Sequence, residues 1–223
     1  MKKKVITQAI NKYLKPYLTN YKVHVDLMYK KESDFFLKGY CFDPLSSGDA
    51  ITVHYFIQPL FVKDESITLG FGSNIAYRKK IGFLKSQWVN RFVVLEDEIE
   101  ESFKQILSAI ILDGEKYLNS INNVEGFYKK FNSEKKDSIR VFEAIAYSSI
   151  FFKDMSTQND LLRRLIKLTS EEEDRHTEWI PQIAKDANLL LNIPSIAQRV
   201  EILKSWANET IKNLKLPELL PIK

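Results

Sequence analysis

The chain reads as an α+β protein: an N-terminal helix, a four-stranded antiparallel meander, then a C-terminal helical bundle. Three observations carry that reading. From about Lys22 to Ile75 apolar residues alternate every second position, as in a strand whose side chains point to opposite faces. From about Leu95 onward they recur every third or fourth position, as on a helix with one buried stripe. The connections between the early alternating runs are short and polar. Such connections join antiparallel neighbours, because a parallel crossover needs about a dozen residues or more.

Residues 5–18 place Val5, Ile6, Ala9, Ile10, Tyr13, Leu14, Tyr17 and Leu18 on one helical stripe, with Pro16 weakening the last turn. The first strand is expected where Val23, Val25, Leu27 and Tyr29 alternate with His24, Asp26, Met28 and Lys30. Lys31 to Asp34 reads as a hairpin connection, Phe35 to Phe42 as the second strand, and Asp43 to Asp49 as a loop of turn formers. Ile51, Val53, Tyr55 and Ile57 mark the third strand. Pro59 ends it, bulges it or puts it at an edge. Ser66 to Ile75 is the fourth strand, and 77–92 is a transition holding a fifth strand or a loop.

Helices are expected over 96–112, 115–121, 124–131 and 138–153. Thr157 is read as the cap of another, which carries Leu161, Leu162, Leu165 and Ile166. Asp113-Gly114 reads as a helix end. Ser170 and Glu173 have capping-box spacing, which predicts a helix opening at Glu171. Pro181 is expected to kink or divide that helix before Leu189. The last helix runs from about Ser195 to Leu214, and Pro217 and Pro221 stop it. The division into domains is expected at 1–92 (helix plus sheet) and 93–223 (helices packed on the sheet).

With 223 residues and 44% hydrophobic content, the chain has ample material for a core. A chain of this size buries roughly 70% of the surface its unfolded form exposes. The single cysteine, Cys41, excludes an internal disulfide and reads as an inert buried thiol without a basic neighbour. Three histidines make a structural zinc site untenable, and no metal or cofactor is expected. Met1 to Ile10 begins like a signal peptide, but Gln8, Asn11, Lys12 and Lys15 interrupt the apolar run. The expectation is a cytoplasmic protein with no membrane partner.

Residues 1–92 carry 15 Lys+Arg against 7 Asp+Glu, and 93–223 carry 18 against 22, which together give the net +4. Oppositely charged halves can dock on each other, or the basic half can meet an anionic partner.

Motifs that would assign a reaction are weak. Glu173-Asp174-Arg175-His176 holds one Glu-x-x-His, where di-iron bundles use two, and an acidic first turn explains it without metal. Gly70-Phe71-Gly72-Ser73-Asn74-Ile75 lacks the third glycine of a dinucleotide loop and the Gly-Lys-Ser/Thr of a P-loop. Its glycines suit a bulge or a close packing approach. No nucleophile motif accompanies the histidines. An enzymatic use of His24, Asp26 and His54 requires both imidazoles to converge in one pocket.

Two surfaces remain. One is a polar-aromatic sheet face, and His24, Asp26, Tyr40, His54 and Phe56 are its candidate partner contacts. The other is the acid-free run 77–92, where Arg78, Lys79, Lys80, Lys85 and Arg91 are candidate anion-binding residues interleaved with Tyr77, Phe83, Trp88 and Phe92. Together they point to a binding protein of immunity or adaptor type whose partner is another protein. The alternative is a nucleic-acid-associated protein using 77–92.

Overall fold

The computed structural model describes residues 3–81, 85–133, 138–171 and 177–222, with the side chains of 79–86 outside that set. An N-terminal helix, an antiparallel sheet and a helical C-terminal half follow in the expected order. Contacts divide the chain into two units. The first is 1–32, 36–58 and 68–120; the second is 33–35, 59–67 and 121–223. The change of rhythm therefore precedes the change of unit: the helices over 99–119 belong with the sheet.

In the first unit, α1 (Lys3–Ala9) runs into a π-helical turn over Ile10–Leu14. Ile6, Ala9, Ile10 and Leu14 are buried, whereas Tyr17, expected on the same stripe, lies exposed. Tyr17 lies in the turn that follows Pro16, past the last helical residue, so a helical stripe carried through Pro16 misplaces it.

Strand one of the sequence reading is a hairpin. β1 (Lys22–His24) pairs antiparallel with β2 (Leu27–Ser33) through Val25-Asp26, with Val23 opposite Met28 and His24 opposite Leu27. No glycine or asparagine announces this turn. Val25 itself takes a left-handed conformation (φ 55°), costly for a β-branched residue. The Thr7 hydroxyl donates to the Val25 carbonyl at 2.7 Å, and Lys3 pairs with Asp26 at 3.0 Å, so α1 holds the turn. The hairpin also breaks the inferred alternation, because cross-strand partners share a face. Met28 lies with Val23, and His24 lies with Leu27.

β3 (Phe36–Pro44) and β4 (Ala50–Pro59) continue the meander. The expected fourth strand is mostly absent. In its place stand a 3-10 turn over Leu69–Phe71 and a two-residue β5 (Ser73–Asn74), paired with Tyr55 and His54 of β4. Gly72 explains the tightness, since a β-carbon there would fall 1.8 Å from the Tyr55 carbonyl oxygen. The run 77–92 forms a hairpin of its own, β6 (Tyr77–Ile81) with β7 (Lys85–Val89). β8 (Phe92–Val93) then returns to β4 opposite Ala50 and Ile51.

α2 (Ile99–Ala109) does not end at Asp113-Gly114. It passes through a second π-helical turn, Ile110–Gly114, into α3 (Glu115–Asn119). Gly114 is helical (φ −61°), so the glycine serves close approach here: a β-carbon would lie 2.8 Å from Tyr40 Cε1. Phe103 of α2 stacks on Phe42, and Tyr117 of α3 packs on Tyr55.

The second unit is a helical assembly of α4 (Val124–Ser133), α5 (Ile139–Ser149), α6 (Met155–Glu171), α7 (Trp179–Leu191) and α8 (Ile196–Leu214), in which α4 to α7 each pack on the next. Phe61, Phe127, Phe131, Leu162, Leu165, Ile183, Leu190 and Leu203 are buried in it. The cap of α6 is Asp154, whose carboxylate accepts from the Thr157 backbone N–H and hydroxyl at 2.9 Å; Thr157 stands inside the helix. Ser170 also lies inside α6 and donates to the Lys167 carbonyl, so it caps nothing. Glu173 to His176 lie outside the described residues. Pro181 falls in the first turn of α7, where a missing N–H costs no helical bond, so it starts the helix and does not divide it. Ser195 caps α8 by accepting from the Gln198 N–H.

Buried Arg199 ties α6, α7 and α8 together using neutral acceptors. Its guanidinium donates to Gln158 Oε1 (3.0 Å), Asn159 Oδ1 (2.7 Å), and the Leu191 and Ile193 carbonyls (3.2 and 2.9 Å).

Candidate functional site

The sheet residues named as partner contacts do not form one open face. Lys38 and Tyr40 of β3 point at α3. The hydroxyls of Tyr21 and Tyr40 both donate to Glu115 Oε1, the latter at 2.7 Å. Lys30 Nζ lies 3.8 Å from Glu115 Oε2, and Lys38 donates to Glu32 and to the Leu118 carbonyl at 2.8 Å. Burial drives the Tyr40 and Tyr21 pKa values up, and the same desolvation pulls Lys38 down. Antiparallel sheets often keep one face for solvent; here a helix of the same unit covers it, and the polar groups are satisfied internally.

Tyr55, and not its neighbours, packs on α3, which puts His54 and Phe56 on the other side of β4. Tyr40 and Phe56 are fully buried and offer no contact surface. Asp26 is engaged by Lys3, His54 lies 3.2 Å from the Thr52 hydroxyl, and His24 is half-buried. His24 and His54 sit on β1 and β4 with two strands between them, roughly 14 Å at the usual strand spacing. The expected His-Asp-His constellation is therefore not assembled. No group of three or more His, Cys, Asp or Glu among the described residues could hold a metal. Cys41 is half-buried, and burial pushes its thiol up to about 11, as expected of an inert side chain.

The basic segment behaves differently. Tyr77 anchors the β6–β7 hairpin by packing its ring 5.0 Å from buried Phe92. The next pair in the ladder is Arg78 opposite Trp88, followed by Lys79 opposite Gln87, Lys80 opposite Ser86 and Ile81 opposite Lys85. The side chains of Lys79, Lys80 and Lys85 lie outside the described residues; Arg78 and Arg91 are exposed. Trp88 is 63% exposed, an unusual state for the largest apolar side chain.

Arg78 and Trp88 form one wall of a groove of about 460 Å³. Gln105 and Ser108 of α2, with Leu112 and Asp113 of the π-helical turn, form the other. Leu112 is 66% exposed and Ile111 beside it 54%. Both lie off the buried stripe of Phe103, Ile106 and Ile110 and face outward from a π-helical turn, a kind of turn that recurs at functional positions. The Asp113-Gly114 pair reads as a helix end in the sequence, so the groove is missed there.

Among the described residues no helix is long and apolar enough to cross a membrane. No protein-family model, curated protein or solved structure matches this chain, so its candidate sites rest on their own geometry.

Proposed function

We propose that the protein is a binding protein that acts through contact with another protein, and that the groove between the β6–β7 hairpin and the 105–113 segment is its contact site. The carrying observation is the coincidence of exposed Trp88 and exposed Leu112 on one concave surface. Tryptophan beside an aliphatic side chain, ringed by polar groups, is the composition of interface hot spots. The charge around the groove defines the partner. Arg78 lines the hairpin side, where residues 77–92 contain no acid, and Asp113 stands on the opposite wall, so an apolar side chain with a carboxylate turned toward the hairpin is the complementary ligand. Adaptor and immunity proteins act in this way, by occupying a partner surface without chemistry.

The test is site-specific photo-crosslinking from position 88 in native-host extract, comparing the parent with a Leu112→Asp variant. A discrete adduct that disappears in the variant supports the reading. Adducts identical in both refute it. Retention on DNA that weakens steeply with salt and is lost when Arg78, Lys79 and Lys80 become Ala would transfer the groove to nucleic acid.

A further inference from the structure

The two walls of the hairpin groove carry opposite charges. Arg78 stands on the hairpin side and Asp113 on the side of the π-helical turn. Both are exposed, and neither forms an ion pair or a side-chain hydrogen bond with a described residue. Exposed charges nearby do find partners: Lys3 reaches Asp26 at 3.0 Å, and Lys104 on α2 reaches Glu100 at 2.8 Å. Arg78 and Asp113 thus line one groove without meeting. Between them lies apolar surface from Tyr77, Trp88, Ala109 and Leu112, of which Trp88 and Leu112 are the most open.

The ladder fixes how the cation and the indole are set. Arg78 is directly opposite Trp88. Such cross-strand partners share one face of a ribbon, with β-carbons about 4.5–5.5 Å apart. A single ligand residue lying on that face meets guanidinium and indole together, so it must offer a carboxylate and an apolar side chain at close quarters. An Asp or Glu beside an apolar residue in an extended segment does not, because successive side chains point to opposite sides. An acid two residues along lies about 7 Å further down the strand. The last residue of a chain meets the requirement by its covalent structure, since its carboxylate and its side chain leave the same α-carbon. The planar fork of arginine is matched to such a carboxylate.

Asp113 narrows the ligand further. A carboxylate on the far wall repels a ligand with many anionic groups, such as a phosphate backbone or an acid-rich segment, and tolerates a single anion held at Arg78. It is also an acceptor for the backbone N–H that a terminal residue carries.

We propose that this groove binds the C-terminal residue of a partner protein, a residue with a large apolar side chain. Its carboxylate pairs with Arg78, its side chain packs between Trp88 and Leu112, and Asp113 accepts its backbone N–H. The proposal rests on the groove being the contact site and adds which end of the partner enters it.

Proton–nitrogen correlation NMR of the full chain, read at the Trp88 indole N–H signal identified with Trp88→Phe, tests it. Acetyl-Ala-Ala-Phe as the free acid should shift that signal saturably. The same peptide as its carboxamide, and the longer acetyl-Ala-Ala-Phe-Gly-Gly, should each bind roughly fivefold more weakly or worse. Arg78→Gln alters an exposed residue and keeps the fold; it should erase the preference for acid over carboxamide while both still reach Trp88. No saturable shift with the acid up to about 5 mM overturns the proposal. So do equal affinities of acid and carboxamide, equal affinities of the acid and the longer peptide, or a preference for the acid that survives in Arg78→Gln. Failure here is distinct from failure of the groove itself: a position-88 crosslink that needs Leu112, found together with equal binding of acid and carboxamide, keeps the groove and makes its ligand an internal segment.

Discussion

Glu143 provides a stability test whose sign is set by the structure. The residue lies on α5, buried, with Arg140 as its hydrogen-bonded partner and Asp64 and Asp186 as further charged neighbours. Desolvation outweighs the pull of Arg140 and raises its pKa from 4.5 to about 7. A carboxyl raised on folding makes the native state hold a proton that the unfolded chain has released. Its contribution is therefore most favourable below about 4.5 and is lost as pH rises through about 7. A carboxyl held at about 7 in place of 4.5 corresponds to roughly 3 kcal/mol between those limits.

Glu143→Gln mimics the protonated side chain at every pH and keeps an oxygen for Arg140. Near pH 5 the variant should match the parent within about 1 kcal/mol. Near pH 9 it should be the more stable by roughly 2–3 kcal/mol. Urea unfolding followed by helical circular dichroism across that range reads the difference directly. A difference that stays constant within about 0.5 kcal/mol from pH 5 to 9, or that grows in favour of the parent, refutes the argument that burial dominates Arg140 at this site.

Two further outcomes follow from packing. Gly114→Ala would ordinarily stabilise a helix by about 1 kcal/mol. Here the added carbon meets the Tyr40 ring at 2.8 Å, so thermal unfolding should show a net loss of about 1–3 kcal/mol, and the sign should reverse in a Tyr40→Leu background. Arg199→Lys replaces four directed bonds with a point charge that cannot span them. The second unit should lose about 2–3 kcal/mol in a denaturant titration, and an unchanged midpoint would show that the guanidinium is dispensable.

The order of elements was legible because it follows from local rules. Period-two and period-3.6 patterning place β3, β4, α5 and α8 close to their observed limits, and Ser195 at the start of α8 has the ordinary chemistry of a cap. Where two local rules competed, spacing alone chose wrongly. Ser170 has capping-box spacing to Glu173, yet the helix begun at Met155 runs through it. Pro181 has the composition of a break, yet it occupies a first turn where proline is tolerated. Asp154, rather than Thr157, caps α6, since both residue types cap and only geometry distinguishes them.

By itself the sequence determined that an antiparallel sheet precedes a helical half, that a basic aromatic run separates them, and that Cys41 pairs with no other cysteine. Only the tertiary structure decided which faces remain open. The Val25-Asp26 hairpin reassigned the partners of Met28, α3 covered Tyr40, and the β6–β7 hairpin set Trp88 across a groove from Leu112. That groove joins residues from 76 to 113 that share no sequence pattern. Periodicity records which side of an element is apolar, whereas exposure depends on what another part of the chain lays over it, and that is a property of long-range contacts alone.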